Sequence, residues 1–391
     1  MNVGIFTDND FGTVNGVTTS LRAVLRYAPE SICPHIYTAS EVGDDSPGYF
    51  AAKSIGIPFY HEMRMYLPRL NLFLRRVRQD GIDLIHFTTP GPIGLAARFV
   101  AWRIGLRTVG SFHTHLAACT TQLSGSDRLG ALMEQYVRWC YNGCDRILVP
   151  SESTRDVLVG SGIDAVKVTF WRRGVDVDLF SPTKRSQALR ERWHVSDRRP
   201  AIVYAGRLSQ EKGLALLPGI RSALYRRGVE HRFVVVGDGP MRAELQARLP
   251  DAVFTGTLSS QDVAVALASS DLFLFPSETD SAGNVVLEAQ ASGIPALVSD
   301  RGGPKEYIKP NHTGYVCFAG DAEGFACHGA NLLHEVRRRR QMSDAARAYA
   351  LTLRWDVAVQ PLYQVYAEVA ARGRAAGAGS TATAVSGGAV A

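Results

Sequence analysis

Short apolar runs that close on glycine, proline or a polar loop recur along this chain in two sets, and they restrict its fold more than any other feature. Val3–Thr7, Ile32–Thr38, Leu84–Phe87, Arg107–Phe112 and Arg146–Val149 make the first set. Ala201–Ala205, Phe233–Gly237, Val253–Thr257, Asp271–Phe275 and Ala296–Ser299 make the second. Such brief, unalternating runs are the mark of strands buried on both faces. The stretches between them carry helical spacing, as at Val17, Leu21, Val24 and Leu25. Strand–helix alternation of this kind predicts parallel sheets covered by helices. Two sets predict two Rossmann-like α/β domains, each binding ligands at the carboxyl ends of its strands. The charged stretch from Pro182 to Pro200 separates them. The predicted division is therefore 1–182, a linker at 183–200, a second domain at 201–353, and a helix at 354–371. The Ala/Gly/Ser/Thr-rich tail at 372–391 is expected to be disordered.

At 391 residues, with 46% hydrophobic and 20% charged residues, the chain is expected to be a soluble protein of two or three domains. No apolar run reaches the length of a membrane span. The start lacks a basic leader and meets Asp8 early, which reads as a first strand and a cytoplasmic protein. Six cysteines occur without a C-x-x-C pair, and nothing completes a zinc site around Cys140 and Cys144. Arg337–Arg340 reads as a solvated helix face, and no nucleic-acid partner is expected. The segment Arg69–Arg78 is open to two readings. Leu70, Phe73, Leu74 and Val77 share one helical face beside Arg75, Arg76 and Arg78. That describes a domain helix with its stripe in the core, or a helix lying on an anionic membrane.

The chemistry concentrates between Pro276 and Gly293. A strand ends at Pro276, a polar loop follows, and helical spacing resumes at Gly283-Asn284-Val285 before Gly293 stops it. The first turn of such a helix presents amide donors and a positive dipole end to a phosphate. Gly283 leaves those amides open to close approach. Glu288, about one turn in, suits the diol of a ribose, while Asp280 faces whatever lies beyond the phosphates. A nucleotide-sugar has all three parts. Arg207 and Lys212, in Gly206-Arg-Leu-Ser-Gln-Glu-Lys-Gly213, are spaced to reach one diphosphate. Neither a G-x-G-x-x-G fingerprint nor a Walker A loop is present. Phe112-His-Thr-His115 follows a strand directly, so His113 and His115 both reach the ligand end. A neutral imidazole there can stabilise positive charge on an anomeric carbon. A metal reading of the two histidines lacks a third ligand.

The Asp280/Glu288 spacing around Gly283 resembles the E-x7-E motif of retaining glycosyltransferases of the GT-B fold, family 4. The likeness runs along nearly the whole chain. Gly206–Gly213 is similar to that family's G-R-x4-K-G motif, and Asn15-Gly16-Val17 to its donor loop. The departure is Asp280, where the family usually has Glu, a reach shorter by roughly 1.5 Å. The resemblance implies two Rossmann-like domains facing across a deep cleft, with a C-terminal helix crossing back to the first. It implies Gly16 over the donor diphosphate, His113 at the donor sugar, and Gly256 and Thr257 near the base. Asn15 and His115 fall to the acceptor side. Gly56–Arg69 resembles a segment of members acting on lipid acceptors, α-mannosyl- and sulfoquinovosyltransferases among them, and makes Arg64 a candidate. The implied activity is transfer of a sugar, with mannose from GDP-mannose favoured, to a lipid-linked or glycan hydroxyl. No cofactor and no metal are expected, since no Asp-x-Asp stands at a strand end. The alternatives are a UDP-sugar glucosyl- or sulfoquinovosyl-type transferase, a nucleotide-sugar 2-epimerase, and a non-catalytic nucleotide-sugar-binding protein.

Overall fold

The structure, a computed structural model, describes residues 1–9, 11, 15–38, 54–57, 60–113 and 115–382, with backbone alone at 54–57, 60–65, 123 and 373–382. The chain forms two units. One comprises Met1–Pro150, Thr154–Arg172 and the chain from Val359 onward; the other comprises Ser151–Ser153 and Arg173–Ala358.

The first unit holds β1 (Asn2–Thr7), β2 (Cys33–Thr38), β3 (Ser54–Ile57), β4 (Tyr60–Tyr66), β5 (Leu84–Phe87), β6 (Arg107–Ser111), β7 (Arg146–Val149) and β8 (Val168–Phe170). Its six-stranded sheet runs β2-β1-β5-β6-β7-β8, every pair parallel, while β3 and β4 form a separate antiparallel ribbon. Alternate residues of the inner strands point to opposite faces. Ile85 and Phe87 enter a cluster with Phe73 and Val77 of helix Leu70–Gln79, Ala97 of helix Pro92–Ile104 and Tyr141 of helix Asp127–Asn142. Phe6 stacks on Tyr37 at 4.6 Å and meets Phe73 at 5.3 Å. Phe73 and Val77 are thus core residues, while Arg75, Arg76 and Arg78 are exposed. Of the two readings of that helix, the structure bears out the domain helix. On the opposite face His86 is fully buried, 2.6 Å from both Tyr366 Oη and Ser111 Oγ. Burial pushes its imidazole down to about 3, so it is neutral.

The second unit holds β9 (Ala201–Ala205), β10 (Arg232–Val236), β11 (Val253–Gly256), β12 (Leu272–Phe275), β13 (Ala296–Ser299) and β14 (Gly314–Cys317), ordered β11-β10-β9-β12-β13-β14 and parallel throughout. This is the Rossmann order, whose direction reverses between its first and fourth strands, here β9 and β12.

Two expectations need correction. The stretch 183–200 is not a free linker, because it is packed into the second unit. Arg185 and Arg190 both pair with Asp271 just ahead of β12, at 2.9 and 3.0 Å, and Arg190 also donates to the Ser269 carbonyl. The helix expected over 354–371 is two, Trp355–Ala358 and Gln360–Ala382. The second of these continues into the expected tail, of which 383–391 lie outside the described residues. Cys140 and Cys144 are buried free thiols. Among the described residues no helix is long and apolar enough to cross a membrane.

Candidate functional site

The loops leaving β9 and β12 emerge side by side where the second sheet's order reverses, and the chain braces them there. Tyr204, in β9, stacks on Phe275, in β12, with rings 6.0 Å apart and 11° from parallel. Its hydroxyl donates to the Arg207 carbonyl at 2.9 Å, which fixes the backbone that carries this half-buried guanidinium. The loop after β10 presses on the same turn. A Cβ at Gly237 would stand 1.9 Å from the Gly206 carbonyl oxygen, and φ there is +128°, so only glycine fits.

Lys212 ends a short 3-10 turn, Gln210–Lys212, and its Nζ donates to both oxygens of Asp280, at 2.8 and 3.0 Å. Each side chain keeps 21% of its surface exposed, so the pair remains open to solvent. Thr279 Oγ1 donates to the Glu211 carbonyl at 3.2 Å and closes the same seam. Behind Asp280, the Gly303 amide donates to its carbonyl at 2.8 Å. The turn Arg301–Pro304 thus uses this amide to hold Asp280.

Helix Asn284–Ala291 starts from Gly283 in the left-handed region, φ +72° and ψ +59°, a residue with no side chain to cap the helix. A Cβ at Gly283 would stand 2.8 Å from the ring of Pro304. Asn284 and Val285 occupy the first turn. Glu288 retains some exposure as a residue, yet protein surrounds its carboxyl, and burial pushes that group up to about 7. Gly256 accepts from the Gly237 amide at 2.9 Å, which ties the end of β11 to the same group of loops, and Thr257 beside it is exposed. Glu306 is structural, accepting from the amides of Glu152 and Ser153 at 2.7 and 2.8 Å. The structure therefore brings Arg207, Lys212, Asp280, Gly283 and Gly256 to the carboxyl ends of one sheet.

In the first unit, Asn15 caps helix Gly16–Arg26. Its side-chain oxygen accepts from the amides of Val17 and Thr18, at 2.9 and 3.0 Å. Gly16 is exposed at the helix start. The His113 ring meets Trp171 edge-on, with centroids 6.0 Å apart. His115 precedes helix Leu116–Ser124 and lines a largely apolar cavity of about 340 Å³ with Phe112, Leu116, Glu134 and Val137. Its Nδ1 is buried without a hydrogen-bond partner among the described residues. Burial lowers its pKa, with Glu134 opposing the shift. The side chain of Arg64 lies outside the described residues. Among the described residues no group of three or more His, Cys, Asp or Glu side chains is placed to hold a metal ion. Sequence reasoning passed over Tyr204 and Trp171, for which only their places at a strand end and just past β8 gave a signal.

Two family models match. Residues 14–179 fit the model described as Glycosyltransferase Family 4, and 186–349 the one described as Glycosyl transferases group 1. A GDP-mannose-dependent alpha-mannosyltransferase of Mycobacterium tuberculosis is 32% identical over 384 residues, covering 95% of this chain and 97% of that protein. The sulfoquinovosyl transferase SQD2 of Arabidopsis thaliana is 29% identical over 91% of this chain and 71% of its own length. Among solved structures, Anabaena HepE in complex with UDP superposes with a TM-score of 0.76 at 16% identity, covering 94% of this chain and all of that one.

Proposed function

The chain belongs to family 4 of the glycosyltransferases, with the GT-B fold, and from that premise we propose that it transfers mannose from GDP-mannose, with retention, to a hydroxyl of a lipid-linked or glycan acceptor. The observation that carries this reading is the solvent-facing Lys212–Asp280 pair at the strand-order reversal, beside Arg207 and the helix start at Gly283. A forked guanidinium and a point-like ammonium suit a diphosphate. Together they offset the charge that grows on the leaving nucleoside diphosphate, the main electrostatic demand of the transfer. The backbone at Gly283, Asn284 and Val285 offers the positive end of a helix dipole to the remaining phosphate oxygens. Glu288, one turn on, accepts from the ribose hydroxyls, and Gly256 and Thr257 lie toward the base. Asp280 is left for the sugar hydroxyls, and Lys212 keeps its short side chain in position for them.

From the first unit, family likeness assigns His113 to the reacting sugar, where a neutral imidazole steadies positive charge at the anomeric carbon. It assigns Gly16 to the diphosphate and His115 to the acceptor side. Since the cations supply the leaving-group charge, the reaction is expected to need no divalent metal. GDP-mannose is favoured because the relative that is 32% identical is named for that donor. A UDP-sugar is the second reading, because HepE is solved with UDP. A thermal-shift panel of GDP- and UDP-sugars tests the choice. GDP-mannose at about a hundred times its Kd is expected to raise Tm by several degrees while UDP-sugars do not. The opposite pattern replaces the donor. An epimer formed from donor alone overturns the transfer itself.

A further inference from the structure

The last helix, Gln360–Ala382, lays two buried tyrosines against the first unit. Tyr363 and Tyr366 are three positions apart and so share a helix face. Tyr363 Oη donates to the Val24 carbonyl at 2.6 Å, inside helix Gly16–Arg26. Tyr366 Oη meets His86 Nδ1, and His86 Nε2 meets Ser111 Oγ, each at 2.6 Å. A neutral imidazole donates from one nitrogen and accepts at the other, so Tyr366, His86 and Ser111 form one directed chain. All three are buried. An apolar trio of the same shape would leave the fold about as stable, because paired polar groups gain little net energy from burial. What a fully satisfied buried network adds is a single arrangement.

Its neighbours show what it arranges. Trp171, just past β8 and 2% exposed, sets its ring edge-on to His86 with centroids 6.3 Å apart, and edge-on to His113 at 6.0 Å. Ser111 ends β6 two residues before His113. Its carbonyl accepts from Tyr141 Oη at 2.8 Å, and the Phe112 amide donates to the Leu148 carbonyl at 2.9 Å. The backbone is therefore held as far as Phe112, whereas His113 is half-buried beyond the strand and takes its ring direction from packing. The indole supplies that packing, and aromatic edge contacts fix relative orientation as well as burying area. We infer that Tyr366 and Trp171 are positioning residues for His113: the hydroxyl of Tyr366 fixes the His86 ring, His86 fixes the indole, and the indole aims the His113 imidazole at the reacting sugar. The part played in transfer rests on the reading that gives His113 to that sugar.

Two readouts on the full chain test this and separate it from that reading. One is the His113 ring carbon–proton resonance, assigned by its loss in His113→Gln. The other is GDP release from GDP-mannose, with water, methyl mannoside or diacylglycerol vesicles as acceptor. Tyr366→Phe is expected to move the resonance and to lower kcat roughly fivefold, with donor KM within about twofold. Trp171→Leu is expected to lower kcat roughly thirtyfold, and Trp171→Phe to recover most of it. Tyr363→Phe is the control: it removes a hydroxyl from the same helix face and lowers the unfolding midpoint about as much as Tyr366→Phe, yet should leave the resonance and kcat unchanged. An unmoved resonance in Tyr366→Phe, or equal losses of kcat in the two tyrosine variants, overturns the inference. A moved resonance with wild-type kcat keeps the positioning and removes His113 from the reacting sugar. If the wild type releases no GDP, the GDP-mannose reading falls and the spectra alone decide the positioning.

Discussion

Each unit must hold together two loops that leave neighbouring strands at the point where its sheet reverses order, and the two do so differently. In the first unit the link between the loops after β1 and β5 is Asp8. It accepts from Thr89 Oγ1 at 2.5 Å and from the Ile93 amide at 2.8 Å. Burial raises its pKa, while the bonds from Thr89 and the neighbouring backbone lower it. In the second unit the link between the loops after β9 and β12 is the Lys212–Asp280 pair, 21% exposed on each side. One clasp is turned inward and its donors are used up. The other stays partly open to solvent. A carboxylate at a switch point is therefore no site in itself; its partner and its exposure decide whether a ligand can use it.

Four measurements would break or sharpen that contrast. The largest effect is expected from Lys212→Ala, about a hundredfold in kcat/KM or 2.7 kcal/mol, through the lost charge at the leaving group. A pair left partly open to solvent contributes about 1 kcal/mol at most to folding, so its unfolding midpoint is expected to move less than that of Asp8→Ala. Asp8→Ala should do the opposite. About 2 kcal/mol of stability is lost in denaturant titration, from the orphaned Thr89 and Ile93 groups, while the donor-induced Tm shift is kept. Should the two variants fail in the same way, the contrast is void.

Glu288 sharpens it further, being shielded like Asp8 but with burial as the only perturbing cause. Its folded pKa of about 7 lies above the ordinary carboxylate value of 4.5. Between those values the folded chain binds more protons than the unfolded one, so stability falls as pH rises through that window. Glu288→Gln is expected to remove the fall, adding on the order of 1 kcal/mol at pH 8 relative to pH 5 in paired urea titrations, while donor affinity drops. The smallest effect is expected from a chelator. EDTA should leave transfer within about twofold if Arg207 and Lys212 supply the charge that a metal supplies elsewhere. A larger loss would show that the second clasp is only part of the leaving-group site.

The strands of both sheets were largely legible because buried parallel strands are short, apolar and closed by turn residues. Leu84–Phe87 and Ala201–Ala205 carry that signal undiluted. The ribbon of β3 and β4 was not, because Tyr60–Tyr66 mixes aromatic and charged residues without alternation. β8 and β14 were missed as well, at three and four residues each. The stretch 183–200 misled because charge density looks like solvent exposure, whereas Arg190 is buried against Asp271. At the site, Asp280 and Glu288 were readable from local spacing. The tie between Lys212 and Asp280 was not, since 68 positions separate them and only the fold makes them neighbours.

The hydroxyl of Tyr366, lodged against His86, has a bearing on how the protein is made. The segment that buries this histidine is encoded after the whole of the second unit. On the ribosome the amino-terminal half therefore emerges first yet stays unfinished, with an uncovered sheet face, until translation has passed residue 366. Birth order and completion order are inverted, and the contiguous middle of the polypeptide is the part free to mature while synthesis is still under way.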